Sequence, residues 1–132
     1  MKQAVVNTTE KKEYPDLLLH LSTLLNALAH PARMQILLLL TRYADCPAGG
    51  ISENLPLSKS TVSEHLNKLK KTGYITCSPE GYCNNYQIND KLFEDLRALQ
   101  HEFIAQLEVW KKHRSKCNDI DNKLINKINS LK

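Results

Sequence analysis

Glycine is scarce, four in 132 residues, and no glycine-rich loop occurs that could cradle a phosphate. The four cysteines (Cys46, Cys77, Cys83 and Cys117) are scattered and form no C-x-x-C pair. None has a histidine at catalytic-motif spacing, and no paired carboxylates stand out, so a thiol enzyme or an acid–base catalyst is not supported. The longest aliphatic run, Ile36 to Leu40, is far shorter than the ~18 residues of a membrane span. Residues 1–16, "MKQAVVNTTEKKEYPD", lack the apolar core of a signal peptide. The expectation is a cytoplasmic protein with no membrane partner, whose cysteines are reduced unless they bind metal or sense oxidants. A net charge of +4 permits an anionic partner without requiring one.

What remains is ordinary globular composition, 42% hydrophobic and 24% charged, enough for one core. Pro15 and Asp16 open a helix with a stripe of Leu17, Leu21, Leu24 and Leu28, widened by Leu18 and Leu25. "AHP" ends it, and a second helix starts at Pro31 with Met34, Ile36, Leu37, Leu38 and Leu40 expected to be buried on most sides. "ADCPAGG" is a loop, "ISENL" a short helix and "PLS" a turn. Beyond Gly73, "YITCS", "PEG" and "YCNNYQI" predict two strands around a tight turn. A long helix follows from about Asp90 to Lys112, striped by Leu92, Leu96, Leu99, Phe103, Leu107 and Trp110, and a weaker stripe near the end predicts a short last helix. The fold class is α-rich α+β.

Between the turn and Gly73 lies "SKSTVSEHLNKLKKT". Its apolar positions, Val62, Leu66 and Leu69, make one narrow stripe, so most of this helix faces away from the core. Hydroxyls crowd its start at Ser58, Ser60, Thr61 and Ser63, where one cap would need only one. Two helices joined by a short turn are the arithmetic of a helix-turn-helix, whose second helix puts its N-terminal residues on base edges in the major groove. Hydroxyls donate and accept, so they serve phosphates and either kind of base edge, while Lys59, Lys68, Lys70 and Lys71 supply phosphate neutralisation.

The segments "LAHPARMQILLLL", "LPLSKSTVSEHLNKLKKTGYI" and "PEGYCNNYQI" resemble the ArsR family of winged-helix transcriptional repressors, over roughly residues 17–107. The resemblance implies a winged helix-turn-helix with long N- and C-terminal dimerisation helices. It implies a homodimer that binds a palindromic double-stranded DNA operator and is released by an effector, here unidentified. Carried over by position, the DNA-facing residues are Ser58, Lys59, Ser60, Thr61, Ser63, Glu64, His65 and Lys68, with Glu80 and Tyr82 around the wing tip.

The chain departs from the family's two best-known metal-site patterns. A C-x-C pair before the turn is replaced by Pro47 and Gly49, with Cys46 one residue away. At the last long helix Asp90 is present, but Leu92, Phe103 and Gln106 fill the remaining ligand positions and offer zinc no shell. No metal site or cofactor is therefore expected, and His101 and His113 read as surface residues. If "PEG" is a three-residue hairpin loop, Cys77 faces Cys83, which admits a redox or soft-metal switch on the wing as well as plain packing. The expected organisation is a flexible segment over 1–14, a DNA-binding and dimerisation domain over 15–114, and a tail over 115–132. The competing function is a winged helix used only as a protein-interaction module.

Overall fold

Pro15 sets the start of the first helix, α1 (Asp16–Leu28), and its carbonyl accepts from the N–H groups of Leu18 and Leu19 at 3.0 and 3.1 Å. In the computed structural model residues 13–44, 46–77, 85–117 and 122–130 are described, the side chains of 122–124 excepted. The expected 1–14 segment thus lies almost wholly outside the described residues. α1 buries Leu17, Leu21, Leu24 and Ala27, with Leu28 half-buried beside them and Leu25 exposed. His30, extended as a residue before proline must be, breaks the chain direction. Helix α2 (Pro31–Arg42) then starts with proline in its first turn, where the missing N–H costs nothing.

The reading of α2 as buried on most sides does not hold. Ala32, Ile36, Leu37 and Leu40 face the core, whereas Met34 and Leu38 are 52% and 66% exposed. They sit at i and i+4 on the opposite face, and α2 packs on one side only, against α1, the helix Lys59–Thr72 and the second strand. The helix-turn-helix comprises α3 (Ala48–Glu53) and α4 (Lys59–Thr72). Strand β1 (Ile75–Cys77) pairs antiparallel with β2 (Tyr86–Ile88), and Cys46 adds a single bridge as its carbonyl accepts from the Tyr86 N–H at 3.0 Å.

The register corrects the expected tight hairpin. Ile75 pairs with Ile88 and Cys77 with Tyr86, so the ladder partner of Cys77 is Tyr86 and not, as a three-residue loop would require, Cys83. The reason is burial: this register keeps Ile75 and Tyr86 in the core and turns Thr76 and Gln87 to water. Residues 78–84, including Glu80, Tyr82 and Cys83, lie outside the described residues.

Helix α5 (Asp90–Lys112) has 23 residues and is about 35 Å long. Its first half packs Leu92, Phe93, Leu96 and Leu99 against the core, while Phe103, Ile104, Leu107 and Val109 in the second half are exposed. A short α6 (Asn122–Asn129) returns to it, placing Ile128 beside Leu107 and Trp110 and Lys127 Nζ 5.9 Å from the Trp110 ring centre. Among the described residues no helix is long and apolar enough to cross a membrane.

Candidate nucleic-acid interface

Helix α4 is anchored through Val62, Leu66 and Leu69, each at most 1% exposed, against α1, α2 and α3. Everything else on its circumference that bears on a partner follows from that seam. Ser58 is the N-cap: its Oγ accepts from the Thr61 N–H at 3.3 Å. The same oxygen lies 2.9 Å from Thr61 Oγ1 and 3.2 Å from Ser60 Oγ. Three of the four hydroxyls therefore form one exposed, mutually hydrogen-bonded cluster around the cap. Ser63, a turn further on, lies on the exposed face with Lys59, Ser60, Glu64 and Lys68, and Thr61 is half-buried.

The far end of α4 is fixed as firmly as its start. Gly73 has φ of 103°, the left-handed conformation a glycine adopts without strain. Its N–H reaches the Lys70 carbonyl at 3.1 Å and the Tyr74 N–H reaches that of Leu69 at 3.0 Å, a Schellman cap. The fully buried Tyr74 donates its hydroxyl to the Leu24 carbonyl on α1 at 2.7 Å, and burial pushes that phenol up to about 12. Asn89, preceding α5, donates from Nδ2 to the Gly73 carbonyl at 2.8 Å. The exit of α4 is thereby tied to α1 and α5 at once. Lys70 and Lys71 in its last turn are exposed and favourably placed on the helix dipole.

His65 differs from the other positions carried over from the resemblance. It is half-buried and turned toward α2, with Nδ1 3.2 Å from Arg33 Nη1 and its ring centre 4.3 Å from that of His30. Burial first, then His30 and Arg33, lower its pKa below 6.5, with Glu64 acting in the opposite sense. His30 and Arg33 escaped the sequence reading, which used "HPAR" only as a segment supporting the resemblance. A charged residue in the first turn of α2, ahead of its aliphatic run, was the available signal.

Pro47 caps α3 and Gly49 lies within it, open on its Cβ side. Leu92 is half-buried against the core, Phe103 exposed and Gln106 half-buried, and His101 and His113 are exposed. Cys77 is disulfide-bonded, while Cys46 and Cys117 are free thiols.

The chain matches the family model described as "Bacterial regulatory protein, arsR family" over residues 30–76, from the start of α2 into β1. It is 33% identical over 75 residues to the transcriptional repressor SdpR of Bacillus subtilis, covering 57% of this chain and 82% of that protein. It is 34% identical over 76 residues to the uncharacterized HTH-type transcriptional regulator MJ1325 of Methanocaldococcus jannaschii, covering 58% and 85%. Among solved structures it resembles an ArsR-like transcriptional regulator from Rhodococcus sp. RHA1, with a TM-score of 0.54 at 25% identity over 75% of this chain and 96% of that one.

Proposed function

The chain belongs to the ArsR family of transcriptional regulators, and on that premise we propose that it is a homodimeric repressor whose α4 enters the major groove at each half of a palindromic operator, released when an effector binds. It is a DNA-binding regulator and not an enzyme. The observation that carries the finer reading is the outward face of α4, where Ser58, Lys59, Ser60, Ser63, Glu64 and Lys68 are exposed on a helix held at both ends and along one seam. Rigid presentation matters because a base contact is worth its energy only if the side chain need not be ordered on binding. Thr61 joins this set through its hydroxyl, and Glu80 and Tyr82 are assigned to the adjacent backbone by the same reading.

The dimer is proposed from surface that one chain leaves uncovered. Leu19 and Leu25 on α1, and Phe103, Ile104, Leu107 and Val109 on α5, are all exposed. Apolar surface of this extent on two long helices is an association site or an aggregation hazard. A two-fold dimer through it would present two α4 helices to successive major grooves, matching a palindrome with half-sites ~34–36 Å apart.

The test is selection of bound sequences from random duplex DNA, followed by titration of the selected site and a scrambled one at several salt concentrations. A palindromic site preferred by about a thousandfold or more supports the proposal. Equal binding to both sequences would leave only an electrostatic DNA-binding module.

A further inference from the structure

Arg33 divides its guanidinium between two parts of the fold. Nε donates to the Ala27 carbonyl and Nη2 to that of Asn26 at 3.3 Å, while Nη1 donates to His65 Nδ1 at 3.2 Å. The two carbonyls end α1, where unpaired acceptors concentrate partial negative charge and suit a cation. His65 is on α4, in the turn that follows the hydroxyl cluster. A single side chain therefore bridges the end of α1 to the recognition helix, across the start of α2.

The donor chemistry determines the protonation state the bridge requires. A guanidinium cannot accept, so His65 Nδ1 must be unprotonated to receive its N–H. His30 Nδ1 accepts the Ala32 N–H at 3.0 Å as the cap of α2, so it too must be unprotonated. Both imidazoles then hold their proton on Nε2. A proton added to His65 goes onto Nδ1 and removes the bond from Arg33. It also places a second cation against Arg33. The groups acting on His65 are His30 from the turn, Arg33 from α2 and Glu64 from α4 itself; α1 contributes only carbonyls. Of these, Glu64 alone favours the charged ring.

We propose that Arg33 is a positioning residue for DNA recognition, a strut that sets the angle of α4 through His65, and that it holds only while His65 is neutral, so specific DNA binding weakens in mild acid. This rests on the reading of α4 as the DNA-reading helix. His65 then serves the interface by orienting α4, leaving base contacts to its exposed neighbours. The sign is definite: a histidine lowered in the folded state contributes fully above 6.5 and loses its contribution as pH falls through that lowered value.

The experiment uses the full chain and its selected duplex, with a scrambled duplex as reference, from pH 7.5 to 5.5. The parent's preference for the selected site is expected to fall with pH, by about tenfold once His65 is protonated, the equivalent of one charge-assisted hydrogen bond. His65→Leu, which leaves Arg33 no acceptor, should bind with a preference already reduced and flat with pH. Arg33→Gln should match it at pH 7.5, and the double variant should be no weaker than either single one, because both remove the same contact. A parent preference that does not change with pH, or single effects that multiply in the double variant, would overturn the proposal. The parent's profile needs no variant to fold, and helical circular dichroism recorded on each variant identifies any that has lost the fold. Failure of the parent to prefer any duplex at pH 7.5 would instead refute the DNA reading beneath it.

Discussion

The hydroxyl cluster separates into a structural and a reading role that two substitutions distinguish by sign. Ser58 is the cap of α4, but its bond from the Thr61 N–H is long at 3.3 Å and exposed. Caps of this type contribute ~0.5–2 kcal/mol, and the length puts Ser58→Ala near the low end, about 0.5–1 kcal/mol. For a domain of this size that lowers Tm by roughly 2–5 °C. Ser63 lies beyond the first turn, where every N–H is already paired along the helix, so it has no cap to lose. Ser63→Ala should leave stability unchanged or raise it by up to about 0.5 kcal/mol, since alanine is the better helix former. If Ser63 reads a base, the same substitution removes ~1–3 kcal/mol of discrimination, about five- to 150-fold. Thermal unfolding followed at 222 nm and fluorescence anisotropy on selected and scrambled duplexes measure both quantities. A Ser58→Ala protein as stable as its parent refutes the capping account, and unaltered preference in Ser63→Ala removes that side chain from the reading surface.

Phe103→Asp should shift the protein from dimer to monomer in sedimentation velocity at micromolar concentration with the fold intact, because Phe103 lies beyond the packed half of α5; an unmodified monomer at that concentration would sink the dimer. Tyr74→Phe should cost about 1 kcal/mol in urea unfolding, for the bond to the Leu24 carbonyl. Because the phenol titrates higher in the folded protein, its contribution is present below pH 10 and lost toward about 12, so the parent should lose more stability across that interval than Tyr74→Phe, in which the raised Tyr86 phenol still titrates. Lys68→Ala should weaken selected and scrambled duplexes alike and reduce the slope of log affinity against log salt by about one; an unchanged slope would place Lys68 away from phosphate.

Much of the site was legible in the order of residues because its determinants are local. Pro31 at a helix start, Gly73 at a helix end and a three-residue apolar seam in α4 act over one or two turns, so a linear reading finds them. The hydroxyls around Ser58 were recognisable as too many for one cap, and their hydrogen-bonded cluster follows from adjacency in a single turn. The long α5 was equally plain, since its stripe repeats over 23 residues.

Tertiary structure decided what periodicity cannot. A stripe gives the angle of a side chain about its helix axis, not whether another element lies at that angle. Met34 and Leu38 therefore read as core and emerged on the bare side of α2. Strand pairing has the same limit: a tight turn and a longer loop both satisfy the residues around "PEG", and only the demand to bury Ile75 and Tyr86 together chose the register that pairs Cys77 with Tyr86. The contact of Arg33 with His65 spans 32 positions and depends on three helices meeting. Composition and order specify each of those helices alone; packing them against one core is what brings a guanidinium to an imidazole.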